Sequence, residues 1–144
     1  MVFLLSKIQT MKERILSWKK GQVFLFALIK RTDIEDKWDI LISADWIKKN
    51  NDQTDLVEII KILRSEFASD LDFLSKIVLL VKEEPIVTDI ARAIKQYSLP
   101  EGYVGELRID DSFTIEEINL VHIDLNNFDV SKSEIEEVRE KQDF

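Results

Sequence analysis

The chain has 144 residues, with 28 Asp and Glu against 20 Lys and Arg, one His, no Cys, three Gly and two Pro. A length and apolar content of this order suit one globular domain and exclude collagen-like, low-complexity and wholly disordered chains. Without Cys there are no disulfides, thiolate nucleophiles or iron–sulfur clusters, and a lone His122 excludes zinc sites built on two or three imidazoles.

Ser6 to Lys20 reads as the first helix. Ile8, Met11, Ile15 and Trp18 share one stripe of a 3.6-residue period. Ser6 is the expected N-cap, Lys19 and Lys20 suit the negative end of the helix dipole, and Gly21 suits a left-handed stop. Val23 to Lys30 reads as a strand, and Trp38 to Ser43 as a second one across the polar turn Thr32–Lys37. Val23–Ile29 is the longest apolar run, at seven residues, far short of the roughly 20 needed to span a membrane. It does not alternate, so both faces are covered and the strand is central.

Asn51–Thr54 is a cluster of capping residues, and Leu56, Ile59, Ile60, Leu63 and Phe67 stripe the helix behind it. Ser69–Leu74 reads as a further short helical piece. Lys76–Lys82 encloses Ile77-Val78-Leu79-Leu80-Val81, a buried strand by length and β-branching. Pro85 suits a first helical position, and Ile86, Ile90, Ala93, Ile94 and Tyr97 follow on one face until Leu99–Gly102 ends the helix. Tyr103–Ile109 and Glu117–Asp124 read as strands joined at Asp110-Asp111-Ser112, and Ser133–Lys141 as a terminal helix. The order α-β-β-α-β-α-β-β-α predicts a single α+β domain. A mixed sheet of about five strands carries the helices. Residues 126–144 read as a flexible acidic extension of that domain.

Charge is uneven. Residues 1–32 hold seven bases and one acid, whereas residues 101–144 hold thirteen acids and four bases. Two readings fit: the ends lie together and attract, or one of them meets a partner. The acidic balance argues against a dedicated nucleic-acid binder. No signal-peptide pattern is present, which with the missing cysteines points to the cytoplasm.

Phe26-Ala27-Leu28-Ile29-Lys30-Arg31 and Lys37-Trp38-Asp39-Ile40-Leu41-Ile42-Ser43-Ala44-Asp45-Trp46 resemble the core of a group of small bacterial proteins reading FALxxR…KWDLLVSAxW. The resemblance runs over about Gly21 to Asp124. It implies a shared strand–turn–strand core and, since that group has no assigned activity, no catalytic residue.

The sequence carries no GxGxxG, P-loop, GxSxG, HExxH or EF-hand pattern. His122 and Asp124 share a face if their strand is regular, and such a pair can orient a general base for Ser112 or Tyr103. A solvent-side pair on an edge strand accounts for them more simply, and is the reading preferred. If the Trp38–Ser43 and Lys76–Val81 strands are parallel, Ser43, Asp45 and Trp46 meet Lys82, Glu83 and Glu84 at one rim, where α/β sheets bind ligands. Asp45, Glu83 and Glu84 are then candidate Mg²⁺ ligands and Lys82 an anion partner. Helix capping explains the same acids without a ligand. Trp46 is a candidate partner contact, weighed against ordinary packing.

The functional expectation is a non-catalytic protein-interaction or accessory module of a bacterial cytoplasmic system, with another protein as partner and neither nucleic acid nor membrane. Two alternatives stand beside it. One is a metal-dependent hydrolase or phosphoryl-transfer enzyme using the carboxylate rim. The other is an acidic inhibitor or immunity-type protein.

Overall fold

The run from Val23 to Leu28 is buried at every position, because the strand that contains it, β1 (Val23–Lys30), lies in the middle of the sheet. The computed structural model describes residues 2–18, 21–33, 37–47, 54–67, 74–111 and 113–128. Within them the sheet also contains β2 (Trp38–Ala44), β3 (Leu74–Leu80), β4 (Val104–Arg108) and β5 (Thr114–Ile123), in the order β3-β2-β1-β5-β4. Only the β2–β3 pair is parallel. The element joining these two is α2 (Thr54–Phe67), as a crossover requires. The α+β class and the element order through β5 are as the sequence predicts. The predicted terminal helix and the short helical piece after Ser69 lie outside the described residues, apart from Leu74, which opens β3.

Helix α1 (Val2–Trp18) and α2 cover one face of the sheet, and α3 (Pro85–Gln96) covers the other. The first layer holds Met11 and Ile15 from α1, Phe26 and Leu28 from β1, Ile40 and Ile42 from β2, and Ile59 and Leu63 from α2. The second holds Val87, Ile90 and Ile94 from α3 over Leu25, Ala27, Leu41, Leu107 and Leu120. Two register shifts disturb β1: one against β2 between Val23 and Leu25, the other against β5 between Phe26 and Ala27. The second leaves Val121 and His122 together opposite Phe26, on the α1 side of the sheet.

Several boundaries differ from expectation. Helix α1 runs through Ser6 and begins at Val2, so Ser6 is an interior position and not an N-cap. The expected lysines of its last turn, Lys19 and Lys20, fall outside the described residues. Gly21 is not a left-handed stop, since Gly102 is the glycine with positive φ. A Cβ at Gly21 would meet the Asp45 carboxylate and come within 2.9 Å of Trp46 Cδ1, so close approach explains that residue. Helix α3 starts at Pro85 as predicted. It ends earlier than Leu99–Gly102, at Tyr97, and Ser98 takes the left-handed conformation with φ 54°. At the end of the described chain, a short 3₁₀ turn (Leu125–Asn127) brings Phe128 edge-on to Phe24, with ring centroids 6.2 Å apart.

Candidate functional site

The parallel β2–β3 pair sends the residues after both strands off the same end of the sheet, as the rim reading requires. Among the described residues no three of His, Asp or Glu are grouped to hold a metal ion. Asp45 covers Gly21, and its backbone N–H bonds the Gln22 carbonyl at 2.9 Å. Glu84 occupies the N-cap position of α3, where the capping reading places it, without a side-chain capping bond. Lys82, the expected anion partner, lies with Nζ 5.2 Å from the centre of the Phe24 ring. Trp46 is half-buried, edge-on to Trp18 at 5.0 Å, on the margin of the first core layer.

His122 does not pair with Asp124. Its Nδ1 lies 2.9 Å from Glu101 Oε1, and its Nε2 lies 3.1 Å from the Val23 carbonyl oxygen. Both ring nitrogens face acceptors, and the Tyr103 hydroxyl donates to the Glu106 carbonyl and not to the imidazole; Ser112 lies outside the described residues. Strand β5 is also interior rather than an edge, so the pair is not the solvent-side feature expected. Asp124 lies just past β5 and accepts from the side chains of Gln22 and Asn127. The other oxygen of Glu101 takes Lys12 of α1 at 3.2 Å. Burial pushes the Glu101 carboxyl up. The Ile123 N–H and Lys12 bonds, with the charges of Lys12 and His122, outweigh that and hold it below the ordinary carboxylate value. The basic first third of the sequence and its acidic last third therefore meet at Lys12–Glu101.

The most open feature lies at β3. This strand pairs with β2 on one side, and among the described residues nothing pairs with its outer edge. Ile77, Val78, Leu79 and Leu80 are all only half-buried, and Lys76 is its one charged residue. The opposite edge is protected differently. Strand β4 is five residues long, exposes Glu106 and Arg108, and shifts register between Gly105 and Leu107. Short length, charge and irregularity are the usual protections of an edge against pairing, and β3 has fewer of them.

Beside that edge, between α2 and β3, runs a groove of about 360 Å³ with Leu56, Ile60, Leu63 and Ile77 as its apolar lining. Arg64, Ser75 and Lys76 complete it. Ser75 of this lining is held by Arg31. That guanidinium grips Asp33 with two bonds of 2.6 and 2.8 Å, donates to Ser75 Oγ at 2.9 Å and lies 3.9 Å from Asp39. Arg31 closes the FALxxR segment and Asp39 the KWD segment, and the fold brings the two side chains together. Sequence reasoning placed β3 as a buried strand and did not anticipate the groove, because strand order is not written in a local pattern. Comparison with protein-family models, with curated proteins and with solved structures gave no match for the chain.

Proposed function

We propose that the chain is a non-catalytic protein-interaction module that works in the cytoplasm and takes its partner along the β3 edge and the adjoining α2 groove. One observation carries this reading: an edge strand with four consecutive half-buried apolar residues runs beside an apolar groove. Unpaired backbone N–H and C=O groups in such a row offer main-chain hydrogen bonds to an added strand, and the groove offers side-chain pockets. The engagement of both His122 nitrogens with acceptors supports binding over a general-base role for this imidazole.

The test is a displayed library of random twelve-residue peptides panned against the full chain, followed by amide hydrogen exchange. Enriched peptides should slow exchange within Leu74–Leu80 and lose affinity in Ile60→Asp. Enriched peptides that protect only other segments would overturn the reading, as would a library from which none is enriched.

A further inference from the structure

We infer that the β3 edge selects an extended segment in which apolar and acidic residues alternate; the inference rests on the interaction reading above. A strand added to β3 would lie about 4.8 Å away and send successive side chains to opposite faces. Ile77 and Leu79 belong to the α1–α2 layer, whereas Val78 and Leu80 belong to the α3 layer. Side chains of the added strand on the α2 side would enter the groove of Leu56, Ile60, Leu63 and Ile77, where an aliphatic group replaces water. Those on the other side would lie beside Lys76, which register places opposite Asp39 on the α3 face.

The charges at the edge favour acids. Asp33 and Asp39 both turn to Arg31, and the charge of Lys76 also acts on Asp33, so with Arg64 three cations stand against two acids along this edge. Arg64 and Lys76 are exposed, and neither makes an ion pair among the described residues. The chain as a whole is acidic, yet this edge is net positive, with Lys76 on the face the acids take and Arg64 at the mouth of the groove. The same pair argues against a second copy as occupant, because β3-to-β3 pairing would bring Lys76 and Arg64 toward their own counterparts.

The experiment uses the full chain and three acetylated, amidated peptides of one apolar pattern: Glu-Val-Glu-Ile-Glu-Val-Glu, its all-Gln counterpart and its all-Lys counterpart. Affinity by fluorescence anisotropy and exchange of the Leu74–Leu80 amides are read together. The Glu peptide should bind at least tenfold tighter than the Gln peptide at low salt, protect β3, and weaken as salt rises. Lys76→Glu combined with Arg64→Glu changes only exposed side chains. With an unchanged thermal midpoint, it should transfer the preference to the Lys peptide. Equal binding of all three peptides at β3 would overturn the acidic preference and leave the interaction reading standing. Failure of all three to protect β3 while library peptides do so would have the same meaning. A concentration-dependent dimer that protects the same amides would replace the peptide by a second copy and overturn the inference.

Discussion

Ser43 gives a prediction whose sign runs against the usual effect of a core substitution. Its side chain is 0 % exposed, and its Oγ has no hydrogen-bond partner among the described residues. It sits on β2 between Leu25 of β1 and Leu80 of β3. A buried hydroxyl without a partner costs about 1–3 kcal/mol relative to one that stays hydrated. Ser43→Ala removes that oxygen and nothing else. The void left is about one atom, which at roughly 24 cal/mol per Å³ returns only a few tenths of a kcal/mol of destabilisation. The expected net effect is a stabilisation of about 1 kcal/mol. In urea the midpoint should rise with the slope unchanged, and the thermal midpoint should rise by about 2–4 °C. A variant destabilised by about 1 kcal/mol or more would refute the reasoning, because the hydroxyl would then be making a bond that its removal breaks.

Phe26→Ala, at the fully buried centre of β1, should cost about 3–5 kcal/mol in the same urea assay; a loss under 1 kcal/mol would show that β1 is not central. Ser98→Gly relieves a left-handed conformation that costs an L-residue about 1–2 kcal/mol, and glycine's greater freedom when unfolded cancels part of this. A gain of about 0.5 kcal/mol is expected, and a loss would contradict the strain. Glu101 has its folded pKa below the unfolded one, so its contribution is present above the ordinary carboxylate range and fades as pH falls through the folded value. Glu101→Gln, discounted for the exposed carboxylate, should cost about 1 kcal/mol near neutrality, with the two stability curves converging in acid; parallel curves would contradict the assignment. Because no three of His, Asp or Glu are grouped among the described residues, millimolar Mg²⁺ should leave the thermal midpoint unchanged, and an upward shift abolished by Asp45→Asn would place a cation there.

The central position of β1 was legible because seven consecutive apolar residues can be buried only between two covered faces. The parallel β2–β3 pair followed from the strongly striped helix between them. Where boundaries moved, tertiary context outweighed local chemistry. Ser6 has the side chain of a cap, but the apolar residues before it continue the helix. Strand β5 starts at Thr114 and not at Glu117, because pairing with β4 extends it back through Ile115 and Thr114. The partner of His122 could not be read locally, since Glu101 lies 21 positions away and the register shift opposite Phe26 turns the imidazole toward α1. The β3 groove was hidden for a related reason. A run of apolar residues looks the same in a central strand and in an edge strand, and only the pairing order distinguishes them.

The pairing of β1 also constrains how the chain is made. One side of β1 is satisfied by β2, its sequence neighbour. The other waits for β5, and the bond from His122 to the Val23 carbonyl spans 99 residues. At a synthesis rate of about 5–20 residues per second, that flank of the nascent chain stays unpaired for roughly 5–20 seconds after β1 leaves the ribosome. Meanwhile its apolar row is open to strands of neighbouring nascent chains, a hazard that a translational pause between β2 and β5 would lengthen. A product terminated before Thr114 would keep the flank open for good. Such a truncation is expected to yield an aggregating chain and not a smaller folded one.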